Sequence, residues 1–244
     1  MPKTYGLIGR SLSHSFSKTY FANKFKMENI DAEYRNFELV NISEFKHLIH
    51  NNRLDGLNVT IPYKKEILPF LDIKSHAVEA IGACNVVAIE GDNIVGYNTD
   101  YLGFSKSLLN TIQSPISNAL VLGIGGASSA IQYALKQLNI SFKLVSRREV
   151  DMHLTYDDLN SVPKLMDVDL IVNTTPLGMY PNENDCPALP YDLLNPDCLL
   201  FDLIYNPEET IFLAKGRERG LKTKNGLEML EIQAEESYKI WTAI

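Results

Sequence analysis

The sequence predicts an α/β protein built as two lobes, and three observations predict it. Strand-like apolar runs alternate with stretches of helical period along most of the chain. A glycine-rich turn, Gly123 to Ser128, stands between an apolar strand and a helix. A last amphipathic run, Gly226 to Ile244, carries Leu227, Leu230, Ile232, Ala234, Tyr238 and Trp241 and reads as one helix returning to the first lobe. The expected division is 1–102, 103–225 and 226–244, with a ligand in the cleft between lobes.

In chain order, Tyr5 to Ile8 reads as a strand, and Ser17 to Met27 as a helix with Tyr20, Phe21 and Phe25 at helical spacing. Glu33 to Leu39 is a strand, followed by a helix from about Ser43, its expected N-cap, to Asn51. Leu57 to Ile61 is a strand, closed by Pro62, and Lys64 to Leu71 a short helix. Val86 to Glu90 and Ile94 to Tyr97 flank Gly91-Asp92-Asn93, a hairpin signal. Tyr101 to Thr111 is a helix ended before Ser114-Pro115. A second pattern then begins: strand Ala119 to Leu122, helix Ser128 to Leu138 and strand Phe142 to Val145. Further strands are expected at Leu170 to Asn173, Leu199 to Leu203 and Leu221 to Thr223. Strands alternating with helices imply right-handed crossovers and a doubly wound sheet.

Composition narrows the function. The 244 residues are 45% hydrophobic and 22% charged, with a net charge of -7, ordinary for a globular chain and without the basic footprint of a nucleic-acid binder. No apolar run approaches the roughly 20 residues needed to span a bilayer. The N-terminal Met1 to Gly9 is too poor in apolar length for a secretion signal. Cys84, Cys186 and Cys198, three and widely spaced, point to reduced thiols in a cytoplasmic protein and give no zinc site. Monomer and homodimer both stay open.

The turn Gly123-Ile124-Gly125-Gly126-Ala127-Ser128 sits where a dinucleotide-binding motif needs it. Gly123 permits the tight turn, Gly125 admits a pyrophosphate to the backbone, and the helix N-terminus offers unpaired N–H groups. Ser128, in place of a third glycine, is small enough for close packing. The alternative is a structural turn. The next strand ends at Ser146-Arg147-Arg148, where an NAD-selective site would place an acidic residue. Arginines suit a 2′-phosphate instead, unless they are merely solvated surface charges.

In the first lobe, His14-Ser15-Phe16-Ser17 sets two hydroxyls at a helix start, either an N-cap or a carboxylate site. Asn58 and Thr60 alternate onto one face of their strand. Lys64, after a strand and a proline, can be held at a substrate. With Asp100 it makes a pair able to move a proton as hydride leaves an alcohol, although each residue taken separately reads as half of a surface ion pair. Gln233 lies on the interior face of the last helix and by itself reads as a core amide.

These motifs resemble, in order and spacing, the shikimate dehydrogenase family. The resemblance is carried by His14-Ser15-Phe16-Ser17, Asn58 to Lys64, Gly82 to Asn85, Asn98-Thr99-Asp100, Gly123 to Ser128, Asn173 to Met179, Asp202 to Pro207 and Gly226 to Gln233, over about residues 5–241. It implies an N-terminal α/β substrate domain plus a Rossmann-like doubly wound dinucleotide-binding domain. It implies NADPH-dependent, reversible reduction of 3-dehydroshikimate to shikimate on the way to chorismate and aromatic amino acids. Under it, Ser15 and Ser17 hold the substrate carboxylate; Asn58, Thr60, Asn85, Asp100 and Gln233 bind ring hydroxyls; Lys64 and Asp100 act at the reacting oxygen. Tyr205 and Gly226 sit at the closing cleft. Gly123, Gly125, Gly126 and Ala127 line the pyrophosphate, Ser146, Arg147 and Arg148 the adenosine end, and Thr174, Leu203 and Met229 the nicotinamide.

Lys18 stands where the family usually has proline, Ser-Arg-Arg replaces the more frequent Asn-Arg-Thr, and the short stretch after Arg148 is expected to reduce its crossover to a loop or one turn. Other readings remain open: a quinate/shikimate dehydrogenase using NAD, a catalytically silent ligand-binding relative, and a tetrahydrofolate-linked dehydrogenase of similar plan.

Overall fold

The computed structural model describes residues 2–13, 15–150, 152–161 and 165–243. His14 and Asp151 therefore lie outside the described residues. The chain divides into two compact units, Met1–Thr99 with Ala234–Ile244, and Asp100–Gln233.

In the first unit β1 (Lys3–Gly9), α1 (Phe16–Met27), β2 (Ala32–Glu38), α2 (Phe45–Asn51), β3 (Gly56–Val59), α3 (Tyr63–Glu66), β4 (Ile73–Lys74), α4 (His76–Ile81), β5 (Val86–Glu90) and β6 (Asn93–Tyr97) follow one another. The sheet order is β2-β1-β3-β5-β6-β4. β1 is parallel to β2 and β3, whereas β5 is antiparallel to β3 and β6. Strand alternation sends side chains to opposite faces. Ile8, Leu57, Val59 and Val87 pack with Phe45, Tyr63, Ile67 and Val78 on one face. Tyr5, Leu7, Val86 and Ala88 pack with Phe21, Phe25 and Trp241 on the other. Trp241 stacks on Tyr5 at 4.7 Å and donates its indole N–H to the Val87 carbonyl at 3.0 Å. Burying one aromatic of this kind stabilises a fold by ~3 kcal/mol, which fastens the end of the chain to this sheet.

The second unit contains α5 (Asp100–Thr111), β7 (Asn118–Leu122), α6 (Gly126–Gln137), β8 (Ser141–Ser146), β9 (Leu154–Thr155), α7 (Tyr156–Ser161), β10 (Leu170–Asn173), β11 (Leu199–Asp202), α8 (Ile211–Glu218) and β12 (Lys222–Lys224). A final helix, α9 (Leu227–Thr242), starts in this unit and belongs to the first from Ala234 onward. The sheet is wholly parallel, in the order β12-β11-β10-β7-β8-β9. The chain thus lays down β7, moves outward through β8 and β9, and returns to β7's other side with β10. This is the doubly wound order, with its switch point between β7 and β10. Leu120, Leu122 and Ile171 face Phe212 and Leu213 of α8, while Ala119, Val121, Val172 and Phe201 face Phe104, Ile131 and Ala134 of α5 and α6. Two apolar faces require helices on both sides, which explains the continuous hydrophobic runs.

Several local expectations need correction. Asn41, not Ser43, opens the second helical stretch. Its side chain accepts from the Ser43 N–H, and Glu44 reaches back to the Asn41 N–H, closing a capping box on a 3-10 turn that leads into α2. β3 stops at Val59, so Thr60 lies beyond the strand in the turn closed by Tyr63 N–H to the Thr60 carbonyl. The helix expected from Lys64 to Leu71 is one turn of α3 and a separate 3-10 turn at Leu68–Phe70, because Pro69 cannot continue the helical ladder. The crossover after Arg148 carries more than a loop or one turn, with β9 extending the sheet and the six residues of α7 following it. Among the described residues no helix is long and apolar enough to cross a membrane.

Candidate active site

In the first unit a buried polar cluster is assembled from β2, β3, the β5 and β6 ends and α9. Ser15 caps α1, its hydroxyl accepting from Lys18 N–H at 3.4 Å. Ser17, the second residue of α1, is buried and hydrogen-bonds the Tyr34 phenol. Tyr34 donates to Asn58 Oδ1 at 2.7 Å. Asn58 Nδ2 lies 3.0 Å from Ser237 Oγ and 3.4 Å from the Asn85 carbonyl oxygen. Ser237 meets Thr99 Oγ1 at 3.2 Å. Asn85 then grips Thr99 twice, accepting from its N–H at 2.7 Å and donating to its Oγ1 at 3.0 Å. Burial pushes the Tyr34 phenol far above the ordinary phenol range, with Ser17 acting in the opposite direction, so Tyr34 is a neutral donor. Six polar side chains buried beside an apolar core are costly unless mutually satisfied, and here each has a partner.

Lys64 stands on α3, whose backbone is fixed from three sides. Tyr63, fully buried in the core, donates its phenol to the Leu39 carbonyl at 2.5 Å, and its own carbonyl accepts from Ile67 N–H. The Lys64 carbonyl accepts from Cys84 N–H at 2.8 Å. The half-buried side chain of Lys64 is thus carried on a fixed stretch of backbone, which is the arrangement that preorganises an ammonium group. Asp100 is the first residue of α5 and is buried, an acidic residue in the first turn of its helix.

In the second unit the glycine turn occupies the switch point. Gly123 has φ +102°, a conformation side-chain-bearing residues seldom adopt, and a Cβ there would come within 2.9 Å of Thr174 Oγ1. Thr174 donates its hydroxyl to the Leu122 carbonyl at 2.6 Å, joining the ends of β7 and β10. Ser128 closes the turn by donating to the Gly123 carbonyl at 2.8 Å. Gly125 is the N-cap of α6 without any side-chain cap, and a Cβ on it would meet nothing within 4 Å. Uncapped N–H groups at the start of a twelve-residue helix, with open space beside them, fit a pyrophosphate. Ser146, buried at the end of β8, donates to the Arg148 carbonyl and shapes the exposed Arg147-Arg148 corner; Arg147 acts electrostatically on Tyr156. The donor set fits NADP: amides for its diphosphate and two guanidinium groups for a 2′-phosphate.

The remaining residues divide by environment. Gly226 donates its N–H to the Ile204 carbonyl at 2.9 Å, and any Cβ on it would overlap the Leu203 backbone. Its need for glycine is met by this close approach. Met229 is buried in the core with Leu203 packed against the same cluster. Burial raises the Tyr205 phenol above its usual range. Gln233 is buried and donates to the Leu230 carbonyl at 2.9 Å.

Sequence reasoning missed three members of these clusters. Tyr34 and Ser237 read as ordinary strand and helix residues, and nothing in their spacing ties them to Asn58. Asp202, fully buried, accepts from Thr210 Oγ1 at 2.6 Å, Asn173 Nδ2 at 3.0 Å and Ile204 N–H at 3.0 Å. Burial pushes its carboxyl up to about 6, these three hydrogen bonds opposing the rise. Its presence in Asp202 to Pro207 was the only signal.

A parallel sheet with this strand order and an uncapped glycine turn at its switch point defines an α/β protein of the dinucleotide-binding, Rossmann-like class, here joined to a second α/β unit with a buried polar cluster. The family model described as the shikimate dehydrogenase substrate binding domain matches residues 7–87. A shikimate dehydrogenase (NADP(+)) of Clostridium beijerinckii is 39% identical, covering 97% of this chain and 91% of that one. A chorismate mutase/shikimate 5-dehydrogenase fusion protein from Clostridium acetobutylicum superposes with TM-score 0.90 at 35% identity, over 100% of this chain and 92% of that one. The shikimate 5-dehydrogenase of Thermus thermophilus, solved with NADP(H) and shikimate, gives TM-score 0.87 at 27% identity, over 99% and 94% of the two chains. This chain belongs to the shikimate dehydrogenase family.

Proposed function

We propose that the chain catalyses the NADPH-dependent, reversible reduction of 3-dehydroshikimate to shikimate, as a cytoplasmic enzyme of aromatic amino acid biosynthesis. The first unit serves as the substrate domain and the second as the NADP domain. What carries this reading is likeness over 97% of the chain to a protein named for that activity. The local chemistry supports it: a polar cluster suited to a polyol in one unit, and a turn suited to a diphosphate in the other.

In this reading Ser15 and Ser17 hold the substrate carboxylate, and Asn58, Thr60, Asn85, Asp100 and Gln233 meet its hydroxyls, with Tyr205 beside the ring. Bound NADP supplies hydride exchange at the substrate carbon. Lys64 gives a proton to the carbonyl oxygen as the ketone becomes an alcohol, and accepts it in the reverse direction. Asp100 orients the same oxygen and balances the ammonium charge. Gly123, Gly125, Gly126 and Ala127 receive the diphosphate; Ser146, Arg147 and Arg148 the 2′-phosphate; Thr174, Leu203, Gly226 and Met229 border the nicotinamide.

The test is a steady-state assay of shikimate and quinate against NADP and NAD. Highest kcat/KM for shikimate with NADP is expected, and a higher value with NAD or with quinate would reassign the cofactor or the substrate. Arg147→Ala should raise KM for NADPH by about 10-fold, the scale of one lost charge-assisted hydrogen bond, while NADH is used as before. Equal losses for both cofactors would remove Arg147 from the 2′-phosphate site.

A further inference from the structure

We propose that Tyr34 and Ser237 are positioning residues of the substrate site, fixing the Asn58 amide so that it meets the substrate only as a hydrogen-bond acceptor. The proposal rests on the reading of Asn58 as a substrate-binding residue. A side-chain amide has two N–H donors and two lone pairs on its oxygen. The Asn85 carbonyl, 3.4 Å from Asn58 Nδ2, can only accept, so the amide nitrogen must lie on that side. Ser237 Oγ, 3.0 Å away, takes the second N–H. Oδ1 is thereby turned to Tyr34, whose phenol donates at 2.7 Å.

Three of the four positions are then used inside the protein, and one lone pair on Oδ1 is left. A ring hydroxyl satisfies that lone pair; a ketone or carboxylate oxygen does not. The orientation is held from distant parts of the chain, Tyr34 on β2 and Ser237 on α9. Both partners are themselves anchored, Tyr34 by Ser17 and Ser237 by Thr99. Without either, the amide can turn and present N–H where the substrate also presents a donor.

The test uses Tyr34→Phe and Ser237→Ala, each alone and in an Asn58→Ala background, with shikimate and NADP. Either single change is expected to raise KM for shikimate by about 10-fold, with kcat within about 3-fold and KM for NADP unchanged. In the Asn58→Ala background neither should add anything, since both act through that amide. Unchanged KM for shikimate, or a full additional rise without Asn58, overturns the positioning role. Parallel losses in both KM values and in Tm do the same, by making the residues merely structural. Should Tyr34→Phe fail to fold, Ser237→Ala, which deletes one hydroxyl, decides the matter. Absence of shikimate turnover by the unchanged protein would instead bring down the functional reading itself, a result distinct from turnover that these variants leave untouched.

Discussion

Replacing Lys64 by alanine is expected to lower kcat by about 10²-fold or more, with KM for shikimate changed far less, as for loss of a general acid–base group. The fold should be indifferent to the change. The bonds that fix this segment are made by the Lys64 carbonyl to Cys84 N–H and by the Tyr63 phenol to the Leu39 carbonyl, and alanine keeps them all. Tm should therefore stay near that of the parent while turnover falls. A rise in KM alone would make Lys64 a binding residue. Lys64→Arg separates the two ways a cation can help. A guanidinium retains the charge and can polarise a carbonyl, but it does not release its proton near neutral pH. If proton transfer carries the rate, Lys64→Arg is as slow as Lys64→Ala; recovery of most of the activity would show that charge suffices.

The parts of this molecule that were legible in sequence are those set by local chemistry. β7, β10 and β11 were visible because strands of a parallel sheet are buried on both faces and so become unbroken apolar runs, such as Leu170-Ile171-Val172. The Gly123 turn was visible because its φ of +102° and its closeness to Thr174 demand a residue that the sequence prints as glycine. Other elements are too short to show a period. β4, of two residues, and α4, of six, carry no repeat, although Ser75 and Gly82 cap α4 at its ends. Asn41 and Ser43 are both residue types that cap helices; the reciprocal bond from Glu44 singles out Asn41, and that bond needs coordinates.

The candidate site divides the same way. Motif residues such as Lys64, Asn58 and Arg147 are found by their neighbours in the chain. Tyr34, Ser237 and Asp202 are found only by what they touch. The bond between Asn58 and Ser237 spans 179 positions, and no spacing rule reaches so far. Such contacts decide how the recognisable residues are oriented, so the sequence can name an amide yet not say which of its ends faces a ligand.

Asp202→Asn is expected to remove a pH-dependent part of the protein's stability. The carboxyl is fully buried, and its folded-state value of about 6 lies above the ~3.9 of an unfolded aspartate. Between those values the native chain holds a proton that the unfolded chain has released, so this residue makes stability fall as pH rises from about 4 to about 6. Above that window the cost is complete, on the order of 3 kcal/mol. Asparagine has the same shape and cannot ionise. Its oxygen still accepts from Asn173 and Ile204, and its nitrogen can donate to Thr210, whose hydroxyl turns to receive it. Denaturant unfolding at several pH values should show the difference between parent and variant shifting across the window and levelling off above pH 6. A constant difference would mean that Asp202 is not the titrating group. Asp202→Ala serves as the contrast, because it strips the acceptor from Asn173 Nδ2, Ile204 N–H and Thr210 Oγ1 together, at about 1–3 kcal/mol for each group left buried and unpaired. Those groups tie the ends of β10 and β11 to the start of α8, next to Thr174 and Leu203. The alanine variant is therefore expected to lose NADP affinity along with stability, whereas the asparagine variant keeps its affinity and changes only its response to pH.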